Sequence, residues 1–153
     1  YALEPISEFH ELIRENTDER VRVIGAAIST EPKLIIDWDG HVEESRGLTF
    51  SEFIKENRID RIDFLKTDCE GGEYEVFSHE NLEWLKANCG YCVGEWHLSS
   101  PELKEKFRKV RDEIFPSFKQ VIAMSVDGVN ITWDLQNEHF IEYYNEVIIH
   151  VEI

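Results

Sequence analysis

The sequence predicts an α/β fold built on a mostly parallel sheet, with helices on both faces and an antiparallel C-terminal end. Short apolar segments alternate with segments of helical periodicity through most of the chain, as is typical of strands joined by helical crossovers. Near the C-terminus the apolar segments are joined by a turn instead, which indicates antiparallel strands. A chain of 153 residues is expected to form a single domain.

The N-terminal third predicts a strand end, a helix, a second strand and a hairpin. Residues 1–3 are typical of the end of a strand, and Pro5 suits the first turn of a helix that runs to about Asn16. Residues 21–28 are apolar and β-branched and predict a strand. The Asp39-Gly40 pair then predicts a tight turn between two antiparallel strands.

The middle of the chain repeats the order of helix and strand. Thr49 and Glu52 have the spacing of a capping box at the start of a helix. Residues 62–68 are short and mostly apolar, so we expect a strand that is covered on both faces. Two glycines follow, then a helix over about residues 81–88 and a buried strand over residues 91–96.

The C-terminal third predicts one long helix and an antiparallel end. Pro101 begins the most regular helical pattern of the chain, which ends at Pro116. Two strands are expected to face each other across Asp127-Gly128, and residues 145–153 predict a last strand.

The charge and the cysteines exclude several classes of protein. Thirty-two acidic and 16 basic residues give a net charge of -16, which repels nucleic acid and anionic membrane surfaces. No apolar run approaches the roughly 20 residues that a transmembrane helix needs. Three cysteines and no secretory signal predict a reducing, cytoplasmic setting, in which Cys89 and Cys92 pack a strand instead of forming a redox or metal site.

Polar residues follow three of the predicted strands. Glu4 follows the first strand, Asp68 follows the strand over residues 62–68, and Glu95 and His97 end the strand that comes next. Ligands of α/β sheets bind at the carboxyl ends of the strands, so these side chains are expected to converge. A carboxylate has only acceptors, and Glu4 could therefore accept hydrogen bonds from both hydroxyls of a ribose.

Two candidates for a proton acceptor lie at these strand ends. Asp68, Glu70 and Glu73 are close enough in sequence to repel one another, so one of them could have a raised pKa that suits a general base; the alternative is a polar turn at a helix start. His97 is the second candidate, because an imidazole exchanges protons near neutrality; the alternative is a hydrogen-bonded loop histidine.

Five segments share the spacing of one known family, and the longest is Ile62-Asp63-Phe64-Leu65-Lys66-Thr67-Asp68-Cys69-Glu70-Gly71-Gly72-Glu73. The others are Leu3-Glu4-Pro5, Leu12-Ile13-Arg14-Glu15-Asn16, Ala27-Ile28-Ser29 and Glu95-Trp96-His97. Together they resemble the FkbM family of methyltransferases from the N-terminus to about His97, whereas the rest of the chain matches only in general pattern.

The resemblance implies a Rossmann-like class I methyltransferase fold and S-adenosylmethionine-dependent O-methylation of a hydroxyl on a small molecule or sugar. It implies that Glu4, Ser29 and Asp68 bind the cofactor and that Asp68 or His97 removes the hydroxyl proton. The substrate pocket would then be formed by Glu70, Glu73, Glu95 and Trp96. No metal ligand is assigned, although clustered carboxylates could hold Mg²⁺.

The family's first strand and Gly-rich turn are expected before Tyr1, so we expect an N-terminally incomplete domain over residues 1–153. A sheet edge left exposed in this way could pair with a second copy and form a homodimer. Two other functions stay open: a noncatalytic methyltransferase-like domain that serves in binding or assembly, and a carboxylate-based metal hydrolase.

Overall fold

The computed structural model describes all 153 residues and has a mixed α/β fold, as the sequence predicts. Its nine strands are β1 (Ala2–Leu3), β2 (Val23–Ile24), β3 (Ala27–Ile28), β4 (Lys33–Trp38), β5 (His41–Leu48), β6 (Ile62–Thr67), β7 (Cys89–His97), β8 (Gln120–Met124) and β9 (Glu146–Glu152). Its six α-helices are α1 (Phe9–Asn16), α2 (Phe50–Asn57), α3 (Glu73–Val76), α4 (His79–Asn88), α5 (Pro101–Lys109) and α6 (Glu138–Tyr143). The chain divides into two compact units, unit 1 (Tyr1–Phe53) and unit 2 (Ile54–Ile153).

Unit 1 contains two small sheets. In one, β1 and β2 are parallel; in the other, β5 is parallel to β3 and antiparallel to β4. The hairpin predicted between β4 and β5 is confirmed, because Asp39 and Gly40 both have the positive φ, 50° and 79°, that a two-residue turn requires. The strand predicted over residues 21–28 is interrupted, since Ala26 N donates to Ile24 O (3.0 Å) in a tight turn around Gly25.

Unit 2 contains a four-stranded sheet with the order β6-β7-β9-β8. β6 and β7 are parallel, while β9 is antiparallel to both of its neighbours, so the predicted antiparallel C-terminal end is confirmed. The prediction of a mostly parallel arrangement is wrong, because the two longest pairings of the chain, β7 with β9 and β4 with β5, are antiparallel. The sheets are mixed and small.

The helix predicted from Pro101 forms, but it changes form before its end. Ser100 Oγ accepts a hydrogen bond from Leu103 N at 3.2 Å and so satisfies one of the free amides of the first turn of α5. After Lys109 the helix continues as a π-helical turn, Val110–Ile114, and then as a 3₁₀ turn that contains Pro116. None of the helices has the length and apolar character to cross a membrane.

The core of unit 2 is an aromatic cluster around Trp96, near the end of β7. Trp96 is 1% exposed, and four rings lie with their centroids 5.2 to 5.8 Å from its own. These rings belong to Tyr74, Phe77, Phe107 and Phe115. Most of the pairs are edge-to-face, the geometry that aromatic quadrupoles favour, so the cluster fixes the end of β7 firmly.

The hairpin predicted at Asp127-Gly128 is wrong. The turn itself forms, with Gly128 at a φ of 81°, but the segment after it makes only one bridge, between Met124 and Asn130. Thr132 Oγ1 instead accepts a hydrogen bond from Ala123 N at 2.9 Å, and a 3₁₀ turn begins there. β8 forms its ladder with the distant β9.

The expectation that β6 is covered on both faces is also wrong. Phe64, in the middle of the strand, is 59% exposed, and its ring stacks on Tyr91 of β7 at 6.0 Å. β6 forms one end of the four-stranded sheet. The mostly apolar segment that forms β6 is therefore an edge strand of this sheet and not a central one.

Candidate functional site

The carboxyl ends of β6 and β7 bring three predicted site residues together. The two strands are parallel, with Thr67 opposite Gly94, so the residues that follow these positions lie at the same edge of the sheet. Asp68 comes directly after β6, and Glu95 and His97 are among the last three residues of β7. One ligand atom from each of the three lies within 4.8 Å of the other two.

A glycine at the end of β7 allows β6 and β7 to approach closely at this edge. A Cβ atom on Gly94 would overlap the hydroxyl of Thr67 and would lie 3.0 Å from Trp96 Nε1. Thr67 is 3% exposed, and its hydroxyl has no hydrogen-bond partner. Position 94 therefore requires glycine for space, since its φ is not in the left-handed region.

The turn after β6 directs the Glu73 carboxylate back toward the site. Glu70 and Gly71 both have positive φ, 50° and 104°, and α3 begins at Glu73. Glu73 Oε2 accepts a hydrogen bond from Gly71 N at 2.7 Å. Glu70 and Gly71 thus form a tight turn that lets Glu73, the first residue of α3, accept a hydrogen bond from the turn that precedes its own helix.

Glu73 is paired with His97 inside unit 2. Glu73 Oε1 lies 2.6 Å from His97 Nδ1 and also accepts a hydrogen bond from His97 N at 3.2 Å. The Glu73 side chain is 0% exposed and the His97 side chain 5% exposed. A buried carboxylate is tolerated only when donors surround it, and Glu73 has three of them, from Gly71 and His97.

This pairing changes the titration of His97. The hydrogen bond from Glu73 raises the pKa of His97 to about 9, although burial acts in the opposite direction, and the charges of Glu73, Glu70 and Glu95 add to the rise. At neutral pH the imidazole therefore carries a proton on both nitrogens. The sequence predicts His97 as a proton acceptor on the ordinary pKa of an imidazole, and that role stays a prediction.

The other carboxylates of the cluster are open to solvent. Asp68 is exposed and its Oδ2 lies 3.2 Å from Lys66 Nζ. Glu70 is also exposed, and its Oε1 lies 3.5 Å from His97 Nε2. Glu95 is half-buried on β7. The cluster thus has a buried side, made by His97 and Glu73, and an accessible side made by carboxylates.

Two predicted pocket residues lie in the interior. Trp96 belongs to the aromatic cluster and Glu73 is fully enclosed, so neither offers a surface to a substrate. Tyr74, which sequence reasoning missed, donates from its hydroxyl to His97 O at 2.7 Å, and burial raises its pKa so that the hydroxyl keeps its proton. Its place directly after Glu73 is the one signal that could have indicated this role.

The predicted cofactor residues of unit 1 lie at the ends of two short strands. Glu4 follows β1; its Oε1 accepts from Ile6 N at 2.8 Å, and no hydrogen bond engages its second carboxylate oxygen. Ser29 follows β3, and its hydroxyl accepts from Glu31 N at 3.0 Å. Glu4 therefore has one acceptor oxygen without a partner, and the hydrogen of the Ser29 hydroxyl is free to donate.

A cavity of about 390 Å³ lies away from this cluster, at the amino ends of β6 and β7. Its cationic residues are already paired: Arg61 with Asp63 at 2.8 Å, Lys86 with Glu83 at 2.9 Å, and Lys119 with a backbone oxygen at 2.6 Å. The carboxyl ends of the strands are therefore the better candidate site, because their side chains have unsatisfied binding capacity.

The thiols of Cys89 and Cys92 are buried and lie 3.5 Å apart without a bond between them. Both side chains face the packed interior of unit 2, at the start of β7.

A family model described as the methyltransferase FkbM domain matches residues 5–121, about three quarters of the chain. No curated protein and no solved structure matches the chain. The matched residues include both strands that carry the Asp68 cluster as well as Ser29, and Glu4 lies one position before them.

Proposed function

Because this chain belongs to the FkbM family of methyltransferase domains, we propose that it transfers a methyl group from S-adenosylmethionine to a hydroxyl oxygen. The acceptor that we propose is a small molecule or a sugar. The observation that carries the proposal is the cluster of Asp68, Glu95 and His97 at the carboxyl ends of β6 and β7, where a parallel pair of strands binds its ligand. The finer fold assignment, a single Rossmann-like class I methyltransferase domain, is part of the same proposal.

S-adenosylmethionine, when bound, supplies a methyl group that is already activated by its attachment to a sulfonium. The task left to the protein is to bind and orient the reactants and to accept a proton. Glu4 would accept a ribose hydroxyl through its unengaged oxygen, and Ser29 would donate to the adenine edge.

In unit 2, Asp68 is the better of the two candidates for the proton acceptor. Asp68 is exposed and a carboxylate is a hydrogen-bond acceptor, whereas each His97 nitrogen has a carboxylate beside it, Glu73 at 2.6 Å and Glu70 at 3.5 Å. His97 would instead donate a hydrogen bond from Nε2 and orient the acceptor oxygen. Its buried partner Glu73 would keep the ring in that orientation.

Glu70 and Glu95 would set the charge of the acceptor pocket. Two further carboxylates beside Asp68 disfavour a phosphorylated or carboxylated acceptor, because like charges repel in a partly buried site. The excess of negative charge on the whole chain acts in the same direction. A neutral, hydroxyl-rich acceptor is therefore favoured.

Cofactor binding is the first test. Calorimetric titration of S-adenosylmethionine, and of its demethylated product, is expected to show binding that Glu4→Gln weakens by roughly 1 to 3 kcal/mol. Glu11→Gln, an exposed change of the same charge in unit 1, is the matched control and is expected to have no effect. If neither compound binds, the methyltransferase proposal is wrong and the noncatalytic alternative gains.

Turnover is the second test. Radiolabelled methyl transfer to a panel of hydroxylated small molecules and sugars is expected to require Asp68, so Asp68→Asn should reduce the rate at a saturating concentration of the cofactor. The exposed Asp63→Asn, on the strand that precedes Asp68, provides the control.

We also propose a reducing, cytoplasmic setting, which the three free thiols support.

A further inference from the structure

We propose that Asp68, Glu95 and His97 bind a divalent cation at the carboxyl ends of β6 and β7, and that Mn²⁺ is its best match. The role of this cation rests on the proposed function, but its binding does not. Two carboxylates and one imidazole, from two parallel strands, place a ligand atom each within 4.8 Å of the others. An imidazole in the cluster distinguishes it from an ordinary group of surface acids.

His97 has the geometry of a histidine ligand. Its side chain is 5% exposed, and Nδ1 is held at 2.6 Å by the fully buried Glu73. Metal-binding histidines characteristically use one ring nitrogen for the metal and give the other to a carboxylate, which fixes the ring and raises its basicity. Nε2 is the nitrogen that remains, and it makes no hydrogen bond; the nearest carboxylate, Glu70, lies at 3.5 Å.

The spacing of the three ligand atoms suits a small cation. Bonds of roughly 2.0 to 2.3 Å to nitrogen and oxygen place neighbouring ligand atoms about 3 Å apart and opposite ones about 4.4 Å apart. The observed limit of 4.8 Å is close to this range, so small rotations of the exposed Asp68 and the half-buried Glu95 would complete the site. His97, which is fixed by Glu73, need not move.

The mixed donor set indicates the class of cation. Mg²⁺ and Ca²⁺ prefer oxygen donors alone, whereas imidazole suits transition metals, and carboxylates suit Mn²⁺. Two oxygen donors and one nitrogen donor therefore favour Mn²⁺, with Zn²⁺ as the competitor. Three protein ligands would leave coordination positions for a hydroxyl of the acceptor.

The cation would assist removal of the acceptor's proton. A hydroxyl bound to a divalent cation has a lowered pKa, and Asp68 can use one carboxylate oxygen for the cation and the other for the departing proton. The cation would replace the hydrogen bond from His97 Nε2 to the acceptor oxygen. On cation binding the Nε2 proton would leave to solvent, while Nδ1 would keep the proton that it donates to Glu73. The cation would thereby both bind the acceptor hydroxyl and lower its pKa.

The test is a titration of the whole chain with MnCl₂, in which the EPR signal of free Mn²⁺ reports binding. We expect one saturable site per chain, and we expect Asp68→Asn and Glu95→Gln each to weaken it by about tenfold or more. Asp127→Asn removes the same charge from an exposed turn outside the cluster and is expected to change affinity less than about twofold. Bound Mn²⁺ should also broaden the imidazole signals of His97 before those of His150.

Three outcomes would overturn the cation site: no saturable binding, full affinity in both cluster variants, or an equal loss with Asp127→Asn, which would indicate general attraction to an acidic chain. S-adenosylmethionine binding is measured on the same metal-free samples. Cofactor binding without Mn²⁺ binding would reject this site alone. Mn²⁺ binding without cofactor binding would reject the proposed methyltransferase function and leave the cation site standing.

Discussion

Glu73 Oε1 lies 2.6 Å from His97 Nδ1, and the two residues are joined across 24 positions of sequence in the interior of unit 2. The pair connects the first residue of α3 to the last residue of β7. Because β6 leads into α3 through the Glu70-Gly71 turn, the same pair also fixes the edge of the sheet where Asp68 lies. The geometry of the candidate site therefore depends in part on this contact.

The first prediction concerns pH. The pKa of His97 is raised from 6.5 to about 9 in the folded chain, so its contribution to stability is complete below about pH 6.5 and is lost as the pH rises through about 9. Urea unfolding at pH 7 and pH 10 is expected to differ by up to about 3 kcal/mol from this group.

Other groups also contribute to the change in stability between pH 7 and pH 10. The control is therefore His97→Gln, in which the part of the stability loss that is due to His97 should be absent. If the free energy of unfolding changes with pH equally in the original chain and in His97→Gln, His97 is not held protonated in the folded chain.

The second prediction concerns Glu73. Glu73→Ala would leave a buried imidazolium without its partner and is expected to reduce the free energy of unfolding by roughly 3 to 5 kcal/mol. Glu73→Gln keeps an acceptor for Nδ1 and should cost less. Glu70→Gln, at an exposed position, should change stability by less than about 0.5 kcal/mol. Equal losses in Glu73→Ala and Glu70→Gln by urea denaturation would refute the special role of Glu73.

The two predicted hairpins show which parts of the fold can be predicted from the sequence. The β4–β5 hairpin was predictable because Asp39 and Gly40 supply its turn locally, with no help from distant residues. Asp127-Gly128 carries a similar signal and forms its turn, yet only one bridge follows it, and β8 forms its ladder with β9, which lies after Tyr144 in the sequence. A local signal predicts a turn; it does not predict which strands will pair.

Some features of the candidate site could likewise be predicted from the sequence, and others could not. The positions of Asp68, Glu95 and His97 at neighbouring strand ends followed from the alternation of apolar segments, and the structure brings them together. The pairing of Glu73 with His97 did not follow, since it depends on the tight turn at Glu70 and Gly71 directing a carboxylate inward. Side-chain direction after a turn is set by backbone dihedral angles, which composition does not encode.

The third prediction concerns Gly94 and Thr67. Gly94→Ala would force a methyl group against the Thr67 hydroxyl and is expected to cost about 1 to 3 kcal/mol of stability. Thr67→Ala alone should cost little, because it removes a buried hydroxyl that has no partner. The double variant should therefore be more stable than Gly94→Ala alone, a positive coupling that a double-mutant cycle measures. Additive losses would mean that the overlap is not with Thr67.

The last prediction concerns self-association through β6. This strand ends the four-stranded sheet, and Phe64 on it is 59% exposed, so a second copy could pair with it and cover the ring. Light scattering is expected to show a mass that rises with protein concentration toward that of a dimer. Phe64→Lys should shift the association to higher concentration, because edge lysines oppose strand pairing. Val129→Lys, at a position that is 60% exposed and lies outside the strands, is the matched control. A constant monomer mass at every concentration would rule out the dimer, and equal effects of the two lysines would show that β6 is not the surface involved.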